Sequence, residues 1–438
     1  MLPGASPSGT FRPPGDKSIT HRGLLLGAMA EGTTLLLGAN RGEDCRALEG
    51  ALSALGVAIT EEGEALRIEG SGGRLRPPGG TLHLGNAGTG LRLLAGLLAS
   101  QRFDARLDGD DSLRRRPMGR IVEPLRRMGA LVEGREGGRF PPLFIRGGPL
   151  RGIDWRTEVA SAQVKSSILL AGLRAEGWTS VTEPALSRDH TERMIPYMGG
   201  KLLREGLTVR VEGGTSLRGR RIRVGGDPSA AAFPLAMALL SPEGRVTAEG
   251  ILANGTRTAF LDVLERMGAR ILREPEEGGA EEGAEESIRV TAEGGGALRG
   301  TVIGGDEIPR LIDEIPLLAV VGARSSGVFT VRDARELRRK ESDRIAATVR
   351  LLRAFGAEAE ERPDGFTVRG ELSLRGTRVE SGGDHRIAMA AVAAGLAAAG
   401  ETIVEGSACA GVSFPGFMET LAALGLGGSI TEEERCEG

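Results

Sequence analysis

Apolar and polar positions along the chain fall into one pattern that recurs six times. An amphipathic stretch runs into a glycine, and a run of alternating apolar and polar residues follows. The glycines are Gly56, Gly129, Gly199, Gly268, Gly356 and Gly425, spaced 73, 70, 69, 88 and 69 residues apart. A glycine closing an amphipathic run predicts a helix whose cap adopts the left-handed conformation. The alternation after it predicts a half-exposed strand. The one long interval contains residues 274–287 (EPEEGGAEEGAEES). That stretch is acidic, glycine-rich and of low complexity, which predicts a disordered surface insertion.

A second helical pattern recurs in phase with the first, over residues 21–30, 89–100, 162–175, 229–240, 315–323 and 385–399. These segments are apolar nearly all round, so they should be buried rather than half-exposed. Pro234 predicts a kink in the fourth. Each unit then holds a buried helix, an amphipathic helix and several strands, which places the chain in the α/β class. Six units predict two similar domains of three, divided at the turn-rich step 224–228: an N-terminal domain over 15–226 and a C-terminal domain over 227–438.

Composition narrows the function. The 438 residues suffice for two or three domains. A net charge of −3 and 3% aromatics argue against nucleic acid as a partner. No apolar run reaches membrane length, and the Pro- and Gly-rich start is no signal peptide. Cys45, Cys409 and Cys436 are far apart and read as reduced thiols of a cytoplasmic protein. The four histidines are scattered, so no metal site is expected. Of 56 basic residues only Lys17, Lys165, Lys201 and Lys340 are lysines. Arginine is the default surface cation, so a lysine marks a position with a requirement. Three of the four lie in the motifs below.

The chemistry-bearing motifs sit where helices should begin, and a helix N-terminus is a ready anion site. Residues 14–22 (PGDKSITHR) bring Lys17, Ser18 and Arg22 to such a start; a capped helix with surface charges is the plain alternative. Residues 85–90 (GNAGTG) allow close backbone approach to a ligand, or simply a turn. Arg114, Arg115 and Arg116 form either a solvated basic loop or a fork for carboxylate or phosphate. Residues 161–167 (SAQVKSS) cap a helix or bind ligand, with Lys165 structural or functional. Residues 187–192 (SRDHTE) can form a capping box with Arg188 left for a phosphate. Asp313, in 311–316 (LIDEIP), is an N-cap or a base beside a substrate hydroxyl. The charge density of 336–344 (ELRRKESDR) favours a solvated helix face. In 383–390 (GDHRIAMA), Arg386 leads into a buried helix, a costly place for an unpaired cation.

Taken in order, these blocks together with RPMGR and GDPSAAAF resemble the signature blocks of the EPSP synthase family of enolpyruvyl transferases. The resemblance runs from about residue 9 to 428, and the SAQVK, RDHTE and LIDE forms are similar to its bacterial class II subgroup. It implies an inside-out α/β barrel fold in which two domains of three units put strands outside and helices inside. Residues 1–14 would join the C-terminal domain, and the active site would lie in the cleft between domains. The implied reaction moves the carboxyvinyl group of phosphoenolpyruvate to the 5-hydroxyl of shikimate 3-phosphate through a tetrahedral intermediate, without cofactor or metal.

Roles follow from the resemblance by motif. Lys17, Ser18, Arg22, Ser161, Ala162, Gln163, Arg188, Asp313 and Lys340 would hold shikimate 3-phosphate. Lys17, Asn86, Gly88, Arg116, Gln163, Glu341, Arg344 and Arg386 would hold phosphoenolpyruvate. Asp313 would take the hydroxyl proton, and Glu341 would serve the methylene carbon, with Lys17 sharing that role. Three positions depart from other members: Glu336 replaces an Asn, Arg339 a Val, and Val412 stands where one branch has a Lys, leaving one cation fewer. Gly88, where a larger residue would crowd the inhibitor glyphosate, would not exclude it at that spot, and the family implies a monomer. The rival acceptor, UDP-N-acetylglucosamine, calls for a loop Cys that 108–115 lacks. An RNA 3′-phosphate cyclase would need a nucleophilic His and a phosphate loop. A non-catalytic anion-binding module would not need Lys17, Asp313, Lys340 and Glu341 together.

Overall fold

The computed structural model describes residues 4–276, 285–370 and 373–431. The chain divides into two compact units. One comprises Gly15–Gly225 together with Glu285; the other comprises the N-terminal residues to Pro14, Gly226–Glu276 and the described residues from Glu286 onward.

The six capping glycines all have positive φ, between 86° and 115°. That conformation costs glycine little and other residues more, which explains its recurrence at this point. The amphipathic helices they close are Glu43–Ala54, Gly119–Met128, His190–Tyr197, Ala259–Arg266, Arg344–Ala354 and Phe417–Leu421.

The six apolar segments form the helices Lys17–Met29, Gly88–Leu98, Ala162–Gly172, Pro228–Leu240, Ile315–Ala323 and His385–Leu396. Every residue of the last three is buried. The first begins four residues earlier than its apolar pattern, because Asp16 caps it by accepting from Ile19 N. Pro234 lies inside a helix that continues to Leu240 without a break, so it does not end the element. Close packing between these helices is visible at Gly96, where a Cβ would lie 2.1 Å from the Ser167 carbonyl oxygen. Only glycine allows the Gly88 and Ala162 helices to approach so closely.

The strands repeat one topology. In the N-terminal unit, Thr33–Leu37 pairs in parallel with Arg221–Arg223 and antiparallel with Ala65–Glu69, which pairs with Ala58–Glu62. Two further four-stranded sheets of that unit, and two of the C-terminal unit, share this order. The strand Ser8–Phe11 supplies the parallel partner of Arg245–Ala248, and so belongs to the C-terminal unit. Apolar strand residues such as Leu203 and Leu272 face solvent, while the helices are enclosed. Within each unit the sheets are therefore outside and the helices inside.

The acidic insertion is only partly as expected. Its ends belong to the strands Arg270–Pro275 and Ser287–Glu293, which pair antiparallel, Pro275 opposite Ile288. The expectation of disorder for 277–284 lies outside the described residues, as does Cys436. Among the described residues, Cys45 and Cys409 are free thiols, and no helix is long and apolar enough to cross a membrane.

Candidate active site

The sequence blocks all lie at or just before a helix N-terminus. In the N-terminal unit, Lys17 is the first residue of its helix. Its Nζ lies 2.7 Å from Asp44 Oδ2, both groups partly shielded from solvent. Ser18 is buried; its carbonyl accepts from Arg22 Nη1 at 2.9 Å, and its hydroxyl accepts from Arg188 Nη1 at 3.2 Å. Arg22 is buried and spans three helices. Its Nε donates to Thr191 Oγ1 at 2.7 Å and its Nη2 to Ser166 Oγ at 2.9 Å. Three donors are thus spent inside the unit, which makes Arg22 a tie between helices as well as a candidate ligand contact. His21 is fully buried, and that burial holds its pKa down at about 4. The ring is neutral and donates Nδ1–H to the Lys17 carbonyl at 2.8 Å.

Beside these, Arg116 is buried and donates to Asn86 Oδ1. Gly88 starts the next helix, and a Cβ there would come within 2.8 Å of Arg116 Nη1. Gln163 Oε1 accepts from Arg92 Nη1 at 2.6 Å, and its Nε2 donates to Thr89 Oγ1 at 2.8 Å. Arg92 thereby links Gln163 to the carbonyls of Gly88 and Pro117, at 3.5 and 3.1 Å, beside the Arg116–Asn86 pair. Ser161 caps the Ala162 helix by accepting from Val164 N, and its own N–H donates to Glu183. Ala162 is the first helical residue, offering backbone only.

In the C-terminal unit, Arg344 is the centre. Its Nε donates to Asp384 Oδ2 at 2.9 Å, Nη1 to Asp313 Oδ1 at 3.0 Å, and Nη2 to Glu341 Oε2 at 2.6 Å. Burial alone would pull this guanidinium down, but Asp384, Glu341 and Asp313 more than offset it, so its pKa lies above the ordinary value. Lys340 Nζ stands 3.7 Å from Asp313 Oδ1. Asp313, Lys340, Glu341 and Arg344 are therefore one cluster. Arg386 is 4% exposed. Its Nη1 donates to the Ser229 carbonyl at 3.3 Å, and its guanidinium lies over the Phe233 ring at 5.9 Å. Among the described residues it has no acidic partner. A buried cation so placed favours an anion strongly.

Several local expectations are corrected. Residues 336–344 are not a solvated helix face: a 3-10 turn, Arg335–Arg339, precedes the Arg344 helix, and Arg344 itself is 1% exposed. The 187–192 capping box does not form. Asp189 makes no capping bond, Ser187 donates to Glu183, and Glu192 instead pairs with Lys165. Asp313 is not the N-cap of the Ile315 helix; Glu314 holds that place. In the 114–116 run, Arg114 is committed to Asp108 by two bonds of 3.0 and 2.9 Å, which hold the Asp108 carboxyl below its usual range. Only Arg116 of the three is buried.

Sequence reasoning missed Asp44, Arg92, Glu183 and Asp384 as members of these clusters. Asp384 could have been found, since it caps a helix two residues before a buried arginine. Among the described residues, one group brings metal-ligating atoms together: Asp189, His190 and Glu285, within 4.8 Å of one another. Arg193 and Arg204 already supply cations to these carboxylates, so the group's charge is met without a metal.

The family model for EPSP synthase (3-phosphoshikimate 1-carboxyvinyltransferase) matches residues 3–421. A protein of Pelotomaculum thermopropionicum named 3-phosphoshikimate 1-carboxyvinyltransferase is 50% identical over 423 residues, covering 95% of this chain and 96% of that one. One of that name from Brevibacillus brevis is 46% identical over 417 residues, covering 95% and 97%. The solved structure of EPSP synthase from Acinetobacter baumannii matches with a TM-score of 0.83 at 40% identity over 97% of both chains. The enolpyruvyl transferase NikO from Streptomyces tendae has a TM-score of 0.75 at 19% identity, covering 97% of this chain and 96% of that one, and shares the fold. The inside-out α/β architecture that the resemblance implied agrees with both structures.

Proposed function

The chain belongs to the EPSP synthase family, and from that premise we propose that it transfers the carboxyvinyl group of phosphoenolpyruvate to the 5-hydroxyl of shikimate 3-phosphate, releasing phosphate. The supporting observation is that every family block stands at a helix N-terminus, with the cations and carboxylates of each unit gathered there. Both substrates carry a phosphate and a carboxylate, and both suit such positions.

In this reading Lys17, Ser18, Arg22, Ser161, Ala162, Gln163 and Arg188 hold shikimate 3-phosphate from the N-terminal unit, and Asp313 with Lys340 from the C-terminal unit. Lys17, Asn86, Gly88, Arg116 and Gln163, with Glu341, Arg344 and Arg386, hold phosphoenolpyruvate. A proton reaches the methylene carbon from Glu341 or Lys17, and Asp313 takes the hydroxyl proton as the oxygen attacks. Removal of a methyl proton then expels phosphate from the tetrahedral intermediate. Proton transfer and fixed charge supply the catalysis. We take the enzyme to be cytoplasmic and monomeric, with glyphosate competing at the phosphoenolpyruvate positions.

Phosphate release from phosphoenolpyruvate is the test, with and without shikimate 3-phosphate, for wild type and Asp313→Ala. Release that needs both substrates and falls by roughly a hundredfold or more in the variant is expected, in line with the worth of a general base. Release independent of shikimate 3-phosphate, or unchanged in the variant, overturns the assignment.

A further inference from the structure

Lys165 is the one buried lysine in the helix-start motifs that the proposed chemistry leaves unused. Its Nζ lies 2.6 Å from Glu183 Oε2 and 2.6 Å from Glu192 Oε1, and the three side chains are 1%, 3% and 4% exposed. Burying three ionic groups together is not an economical way to stabilise a core, since apolar residues of similar volume often serve as well or better. What the group fixes is therefore more informative than what it stabilises.

Glu183 is fully engaged. Besides Lys165 it accepts from the Ser187 hydroxyl, at 2.7 Å on one oxygen and 2.8 Å on the other. It also accepts from the Ser161 backbone N–H at 2.9 Å. Ser161 is the N-cap of the Ala162 helix, and Ser187 immediately precedes Arg188. One carboxylate thus sets the spacing between two segments, each carrying groups assigned above to shikimate 3-phosphate. Parallel pairing of Asp154–Arg156 with Ser180–Thr182 brings the two segments alongside each other, and beyond the strand ends the Glu183 bonds tie Ser161 to Ser187.

We infer that Lys165 is a positioning residue for the shikimate 3-phosphate site, holding the Glu183 carboxylate in place so that Ser161 and Arg188 stand where the acceptor binds. This rests on the proposed function and names which substrate depends on the buried ion group. Without the ammonium, the Glu183 carboxylate loses its 2.6 Å anchor and its side chain can turn within the space left behind. A carboxylate so displaced gives up the Ser161 or the Ser187 bond. Nothing in the group touches residues assigned to phosphoenolpyruvate alone.

The test is Lys165→Met, with KM for each substrate, kcat, and calorimetric binding of shikimate 3-phosphate in the absence of phosphoenolpyruvate. The expected result is a rise of tenfold or more in the KM and Kd for shikimate 3-phosphate, with the KM for phosphoenolpyruvate within about twofold. A residue needed only for folding would lower the active fraction and leave both KM values alone. Neutralising the partners, in Lys165→Met with Glu183→Gln and Glu192→Gln, should restore most of the lost affinity, because the amide oxygen at position 183 can still accept from Ser161 and Ser187. Should Lys165→Met not fold, Ser187→Ala removes one tie without creating a buried charge, and should raise the same KM threefold or more. Unchanged shikimate 3-phosphate affinity in a folded variant overturns the inference while the wild-type activity stands. A wild type without activity on the two substrates overturns the proposed function instead.

Discussion

Replacing Arg344 by lysine keeps the charge and removes the fork. The arginine makes four bonds to three carboxylates: two to Asp384, one to Asp313 and one to Glu341. A lysine ammonium is a single point near the position of Cζ, short of both Nη atoms, so it can keep Asp384 and reach at most one other group. At least one of the bonds to Asp313 and Glu341 is lost, and both are weakened. Hydrogen bonds to charged groups are worth about 1.5–3 kcal/mol each. Both carboxylates keep some solvent access, 16% and 18%, so water replaces part of the loss. A net cost of about 3 kcal/mol is expected in the transition state, which is roughly a hundredfold in kcat/KM.

The loss should appear mainly in kcat, because Asp313 and Glu341 are the proposed proton-handling groups. Steady-state phosphate release gives kcat and both KM values, and a thermal melt on the same sample separates misplacement from unfolding. Asp384, which has no exposure at all, retains a cation, so Tm should fall by only a few degrees. A variant with kcat/KM within threefold of wild type and an unaltered Tm would refute the view that the fork aligns the two carboxylates.

Two other outcomes are expected. His21 has a pKa of about 4 in the folded protein because it is buried, against about 6.5 when unfolded. The unfolded chain takes up the proton first, so stability is intact above pH 6.5 and declines as pH falls towards 4, by up to about 3 kcal/mol; urea unfolding between pH 4 and 8 should show a shallower dependence for His21→Asn, and an identical slope contradicts the assignment. A Cβ at Gly88 would lie 2.8 Å from Arg116 Nη1 and 3.2 Å from Arg92 Nη1. Because these are flexible side-chain ends, Gly88→Ala should fold normally, displace Arg116 and raise the KM for phosphoenolpyruvate about tenfold, the ~1.4 kcal/mol of one weakened charged bond. An unchanged KM would remove Arg116 from the phosphoenolpyruvate site.

The repeat architecture was legible because each of its signals is local. A left-handed cap can be read from one glycine, and a buried helix from an apolar run. The side-chain clusters were legible only in part, because their members meet through the fold. Nothing near Lys165 in sequence foretells Glu183 and Glu192, and Glu192 was assigned to a capping box because that partner lies three residues away. The same limit applies to 336–344, where dense charge reads as a solvated surface. In the structure Arg344 is instead satisfied by Asp313 and Asp384, 31 and 40 residues distant. Arg92 escaped notice because an arginine in an apolar helix, in a chain this rich in arginine, carries no signal of its own.

The placement of the motifs follows from the fold itself. Helices enclosed on nearly all sides can offer polar groups to a ligand chiefly at their ends, so a site built on them must be built largely from termini. Surface helices commonly place acids in the first turn, where the dipole favours negative charge, by about 0.3–1 kcal/mol each. None of the six central helices has an acid there. Lys17, Lys165 and Arg386 stand within the first four residues of theirs, against the dipole. A buried cation at a positive helix end is doubly unfavourable unless an anion lies against it. For Lys165 that anion is internal, the Glu183 and Glu192 pair; for Lys17 it is in part Asp44. Arg386 has no such carboxylate among the described residues. The position that folding stability explains least is therefore the one that an anionic substrate explains best.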